Sequence, residues 1–271
     1  MSLPSLSLEG KVAIVTGAGG IRGIGRATAL TFAEAGADVT VCDINVKGET
    51  FDLEGTAKEI RKLGRRALTI QADLAKDSDV DNVVTKTVKE FGTIDVLANV
   101  AGMSIHVPFM ETTREIYDKA MDTNLRTQFI CCQKAAKVMI EHKSGNIINW
   151  ISLSAYKTGR AYVYGMAKIG ATALTAWVAR ELAEYNIRVN GIAPGLVRTD
   201  LGPHGIHTVR RNIPPPDEKL GHPMDVMGRN LPLGRICEPQ EIADVALFLA
   251  TDASRMITGQ IIIVDGGAMI A

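Results

Sequence analysis

Tyr164 and Lys168 stand four residues apart in the run AYVYGMAKIGATALTAW, whose apolar spacing predicts a helix, so the two share one face. A free tyrosine is a poor base near neutrality because its pKa lies near 10. A nearby ammonium favours the phenolate, and that would suit Tyr164 to proton transfer. The same spacing also fits an ordinary solvated helix face, so the weight of the pair depends on what accompanies it.

A second chemistry is written near the start of the chain. Thr16-Gly17-Ala18-Gly19-Gly20-Ile21-Arg22-Gly23-Ile24-Gly25 follows a short β-branched run and precedes a helical pattern. A pyrophosphate needs main-chain N–H groups aimed at it and room to approach them. Glycines give the room, and a helix N-terminus adds a favourable dipole. A plain strand-to-helix turn would need no such composition. Asp43 follows the next strand, where a carboxylate can accept from both ribose hydroxyls of an adenosine and repel a 2′-phosphate. Ile44 follows it with no compensating charge, which favours NAD over NADP.

Elements alternate to carry these groups. Strands are expected at 11–16, 38–42, 67–72, 95–100, 146–151, 188–192 and 260–264. Helices are expected at 25–35, 56–63, 79–91, 161–185 and 239–250, and across 113–142 as one helix or one broken near Asn124. Strand–helix alternation implies right-handed βαβ units. The expectation is a single α/β domain over residues 1–271, a doubly wound parallel sheet with helices on both faces. Residues 201–230 break the rhythm, with Pro203, Pro214, Pro215, Pro216 and Pro223. A loop of that length in a compact domain is read as a substrate lid, or otherwise as a surface insertion.

Together these motifs resemble the short-chain dehydrogenase/reductase family from about Leu8 to Gly267. Asp73-Leu74 is similar to the family's adenine-contacting pair. Asn99-Val100-Ala101-Gly102 resembles its Asn-Asn-Ala-Gly motif, Asn124 its tetrad asparagine and Ser152 its catalytic serine. Pro194-Gly195, with Val197 and Thr199, resembles the loop that holds the nicotinamide carboxamide. Val264-Asp265-Gly266-Gly267 resembles the closing strand. The resemblance implies hydride transfer between an alcohol or carbonyl carbon and a nicotinamide. Tyr164 would be acid/base, Ser152 would bond the substrate oxygen, and Lys168 would tune Tyr164 and bind ribose. Asn124 would kink its helix and hold a water in a proton relay. The implied cofactor contacts are Gly17, Arg22, Gly23, Ile24, Gly25, Asp43, Asp73, Leu74, Asn99, Ala101, Gly102, Tyr164, Lys168, Pro194, Gly195, Val197 and Thr199. The implied assembly is a homotetramer built on the helices at 113–142 and 161–185.

Two departures from the family pattern matter. Five residues separate Gly17 from Gly23 where three are usual, and Ile21-Arg22 are read as the inserted pair. Arg22 precedes Gly23, where NADP-using relatives often carry a basic residue, and so it opposes Asp43. Ile151 replaces the first serine of an Ile-Ser-Ser pattern, and Ser154 is a rival to Ser152. Met103, Ser152, Ser154 and Tyr156 are expected to line the substrate pocket, because ligands bind at the carboxyl edge of such sheets.

Thirty basic residues offset thirty acidic ones, which argues against a nucleic-acid surface. No run is long enough for a membrane span, and residues 1–10 lack the pattern of a signal peptide. Cys42, Cys131, Cys132 and Cys237 form no metal or disulfide motif, and no metal is expected. The reading is a cytoplasmic oxidoreductase acting on a small alcohol or carbonyl compound. The alternatives are a 3-oxoacyl reductase acting on carrier-protein or CoA thioesters, and a non-catalytic NAD(H) sensor.

Overall fold

The computed structural model describes residues 6–159, 161–199 and 223–271. One sheet holds β1 (Val12–Thr16), β2 (Asp38–Asp43), β3 (Ala67–Gln71), β4 (Val96–Asn99), β5 (Gly145–Trp150), β6 (Ile187–Pro194) and β7 (Ile261–Val264). Their order is β3-β2-β1-β4-β5-β6-β7, and every neighbouring pair is parallel. Parallel neighbours require crossovers, supplied here largely by helices. These are α1 (Ile24–Glu34), α2 (Leu53–Lys62), α3 (Asp77–Phe91), α4 (Arg114–Met121), α5 (Thr127–His142), α6 (Tyr162–Leu182), α7 (Pro223–Arg229) and α8 (Pro239–Ala250). This is the doubly wound α/β fold expected from the sequence.

Alternation along each strand feeds two cores. Ala13 and Val15 of β1 pack with Phe32 of α1, Ile60 of α2 and Leu249 of α8 on one face. Ile14, between them, packs with Val83 of α3, Cys131 of α5 and Leu182 of α6 on the other. Strands buried on both faces read as continuous apolar runs, which is why residues 11–16 showed no period of two.

Several boundaries move. α2 begins at Leu53 rather than residue 56, because the Asp52 carboxylate caps the Gly55 N–H at 2.9 Å. The segment 113–142 is broken: five residues, Asp122–Arg126, form a π-helical turn between α4 and α5. The long helix at 161–185 closes with a separate 3₁₀ turn, Ala183–Tyr185. Of the expected lid, 201–222 lie outside the described residues. Its end is not irregular, since Pro223 opens α7, a first-turn position where its missing N–H costs nothing.

Candidate active site

The strand order reverses direction between β1 and β4, and in open α/β sheets ligands bind in the crevice at that point. The glycine segment leaves β1 there. Gly17 has φ +67, and a Cβ on it would lie 2.9 Å from Ala101 Cα. A Cβ on Gly25 would meet the Gly17 carbonyl oxygen at 2.2 Å. Bare glycine at both positions therefore lets the β1–α1 turn, the residues after β4 and the first turn of α1 close together. Gly23 is the N-cap of α1 and provides no side-chain cap, leaving the first N–H groups of the helix without one.

The inserted pair has a definite path. Ile21 N–H donates to the Thr50 carbonyl at 2.9 Å, Asp52 N–H donates to Gly19 at 2.8 Å, and Gly20 bridges Phe51 antiparallel. The two extra residues thus form a bulge braced on the segment after β2, and Gly23-Ile24-Gly25 keep their place at the helix start. Arg22 lies exposed on this bulge. The Asp43 carboxylate joins the same brace, accepting from Gly19 N–H and Asn45 N–H at 2.9 Å each. Burial pushes its carboxyl above the usual value, and the N–H groups of Asn45, Gly19 and Ile44 pull it back.

Gly102 marks where cofactor cradle and proton chemistry meet. A Cβ there would approach Asn124 Oδ1 to 2.8 Å and Lys168 Nζ to 3.5 Å. Asn124 is fully buried. Its Oδ1 accepts from Met103 N–H at 3.0 Å, and its Nδ2 donates to Met103 and Ala120 carbonyls at 2.9 and 3.0 Å. Its side chain therefore ties the π turn to the segment that leaves β4.

The Ser152 hydroxyl lies close enough to Tyr164 to favour its phenolate. Ser152 Oγ also accepts from Ser154 N–H at 3.1 Å, so between the two rival serines it is Ser152 that faces Tyr164. Lys168 Nζ lies 5.6 Å from the Tyr164 ring centroid and donates to the Trp150 carbonyl at 2.7 Å. Burial pushes the phenol up, with only the Ser152 hydroxyl acting against it, while burial brings Lys168 down to about 7.

Some motif residues turn away from the crevice. Asn99 donates to Asn149 Oδ1 at 2.9 Å, inside a buried chain that continues from Asn149 to Thr175. Leu74 and Val197 have side chains in the two cores, and Met103 packs against Ile105 and Val163. These four were expected to touch cofactor or substrate; the Asn99 side chain is hydrogen-bonded inside the sheet and the other three pack against the cores, which leaves their main chain for such a contact. Asp73 Oδ1 accepts from Ala75 N–H at 3.2 Å within its own turn. Ala101 N–H donates to Thr16 Oγ1 at 2.9 Å. Gly195 follows Pro194, the last residue of β6, and lies against Asp265, while Thr199 N–H donates to the Val197 carbonyl at 2.9 Å. Ser154 sits in the 3₁₀ turn Leu153–Ala155, whose C-cap, Tyr156, is exposed.

Two features went unread in the sequence. Ser104 Oγ and His106 Nε2 are 2.7 Å apart in the segment after Gly102, and burial lowers the His106 pKa. Their signal is the alternation Met103-Ser104-Ile105-His106-Val107, polar on one side and apolar on the other. Gln128, one helical turn beyond Asn124, is buried beside Lys168 and carries no motif signal.

Comparison with known proteins agrees with this geometry. A family model described as Enoyl-(Acyl carrier protein) reductase matches residues 17–269. A short-chain dehydrogenase/reductase of Armillaria gallica is 36% identical over 265 residues, covering 96% of each chain. The 3-oxoacyl-(acyl-carrier-protein) reductase FabG of Staphylococcus epidermidis is 38% identical over 259 residues, covering 95% of this chain and 98% of that one. A solved 7α-hydroxysteroid dehydrogenase, complexed with NADH and 7-oxo glycochenodeoxycholic acid, superposes with TM-score 0.84 at 33% identity, covering 97% and 95% of the two chains. With a parallel sheet whose switch point carries a glycine cradle, and with likeness along nearly the whole chain, this protein belongs to the short-chain dehydrogenase/reductase family of oxidoreductases.

Proposed function

We propose that the chain is an NAD(H)-dependent oxidoreductase that interconverts a secondary alcohol and a ketone. The observation that carries this reading is the placing of the Ser152 hydroxyl beside Tyr164 with Lys168 one helical turn away, next to the glycine cradle at the switch point. Tyr164 takes the hydroxyl proton in oxidation and returns it in reduction. Ser152 holds the substrate oxygen as its charge changes. Asn124 ties the segment after Gly102 to the π turn and to the end of α4.

The bare glycines and the uncapped start of α1 fit a dinucleotide pyrophosphate, which Gly17, Gly23, Ile24 and Gly25 would hold. Asp43 would take the adenosine ribose, with main chain at Asp73, Leu74, Asn99, Ala101, Gly102, Pro194, Gly195, Val197 and Thr199 contributing around the rest. Tyr164 and Lys168 would bind the nicotinamide ribose. When bound, the cofactor accepts or supplies the hydride. Asp43 favours NAD, and Arg22 on the exposed bulge does not displace it.

The second reading is a 3-oxoacyl thioester reductase, favoured by the name of the Staphylococcus relative. One panel separates the two: secondary alcohols, sugars and steroids with NAD⁺, against a 3-oxoacyl thioester with NADPH. Turnover of the thioester with NADPH and of no alcohol with NAD⁺ would replace the first reading by the second. We place the enzyme in the cytoplasm, and among the described residues no helix is long and apolar enough to cross a membrane. A homotetramer is proposed from the apolar faces left on α5 and α6.

A further inference from the structure

The carbonyl of Trp150, the last residue of β5, accepts two buried hydrogen bonds. Lys168 Nζ reaches it at 2.7 Å and Gln128 Nε2 at 2.8 Å. Lys168 is 2% exposed and Gln128 1%. The two donors come from different helices, α6 and α5, and Trp150 leads directly into Ile151 and Ser152. One oxygen thus joins three of the elements that carry the proton chemistry.

The other end of the Gln128 amide is anomalous. Its Oε1 is buried and has no hydrogen-bond partner among the described residues. A buried amide oxygen without a protein partner adds nothing to the fold that an apolar side chain of the same volume would lack, so stability alone does not call for an amide at this position. Departures of this kind are expected where a site asks for them.

The amide has a definite electrostatic effect on its neighbour. Two donors compete for one carbonyl oxygen, and the ammonium has the more to lose. The amide also turns the positive end of its dipole toward the oxygen that Lys168 uses. Both effects act against charge on Lys168. Tyr164, on the same helix, is the titratable group facing the lysine. The groups that neighbouring elements bring to this corner are neutral: Asn124, Ser152, Gln128 and the Gly102 main chain. Burial lowers the Lys168 pKa, and no carboxylate acts against that shift.

We propose that Gln128 is a positioning residue for Lys168: by sharing the Trp150 carbonyl it keeps the lysine proton loosely held, so that the lysine can release and regain it during turnover. The proposal rests on the reading of Lys168 as partner to Tyr164. Acid/base groups work best when neither protonation state is strongly favoured near the working pH. Burial moves Lys168 toward that condition, and Gln128 keeps the Trp150 carbonyl from reversing it.

The test is a direct titration of Lys168 in the full chain without substrate. Lysine carrying carbon-13 at Cε is followed by NMR, and the Lys168 signal is assigned by its loss in Lys168→Arg. A Tyr164→Phe background removes the coupled phenol. Gln128→Leu and Gln128→Met each delete the competing donor while keeping the volume. In either variant the Lys168 midpoint is expected to rise by about half a pH unit or more, with no fall in Tm. A midpoint that stays put or falls in whichever variants fold overturns the proposal, whatever happens to Tm. Failure here would leave the oxidoreductase reading standing, because no turnover is measured. Failure of that reading would show instead as normal kcat in Tyr164→Phe.

Discussion

Lys168 keeps its charge at a cost, and that cost has a sign. Its unfolded pKa is near 10.5 and its folded value about 7, lowered by burial. Between those values the unfolded chain binds more protons, so stability rises with pH across that window, and below about 7 the penalty is present in full. Lys168→Met should therefore be more stable than wild type near pH 6, by an amount on the order of a few kcal/mol. The advantage should shrink as pH climbs toward about 10. Denaturant midpoints at the two pH values check this, and a difference independent of pH would contradict it. At Asp43 the expectation concerns selectivity. Asp43→Ala should lower the ratio of kcat/KM for NAD to that for NADP by about tenfold or more, the equivalent of one lost charge-assisted interaction. If wild type already prefers NADP, the Asp43 argument fails. The sequence showed residue types and spacing, and it brought Ser152, Tyr164 and Lys168 to one corner. It did not show which face of a pleat each motif residue takes. Asn99 pairs with Asn149 inside the sheet, and Leu74 and Val197 fill the cores, because strand-end geometry rather than motif spacing sets their direction.

At the scale of elements, the break in residues 113–142 was legible because Asn124 is a polar residue in an apolar stripe. Its form was not, because a π turn depends on the bonds that Asn124 makes to Met103, far away in sequence. Asn124→Ala removes three side-chain hydrogen bonds and leaves both Met103 backbone groups without that partner. It should destabilise the fold by about 1–3 kcal/mol or more and lower kcat without a matching change in cofactor affinity. A variant as stable as wild type would mean that the π turn holds without Asn124. The glycine-loop insertion was visible as a count, and its path was not. That path depends on Gly20 pairing with Phe51 and on Ile21 bonding Thr50, contacts that no local pattern announces.

For the molecule as a whole, strand–helix alternation sufficed to specify the fold, since parallel pairing and right-handed crossovers leave few other arrangements. Assembly is read from surface. Trp177 and Ile169 of α6 are 69% and 54% exposed, and Phe129 of α5 adds to the apolar surface of these helices, more than a solvated helix face needs. Light scattering at micromolar concentration should give a tetramer mass, and a monomer mass would refute the assembly. The central claim joins residues drawn from the β5 edge, the π turn and α6 into one proton-transfer site. The most direct test is kcat for Tyr164→Phe beside wild type, on any secondary alcohol that wild type oxidises with NAD⁺, together with NADH affinity by fluorescence. The account predicts a fall in kcat of about 10²-fold or more with NADH affinity unchanged, whereas turnover near the wild-type value would contradict it.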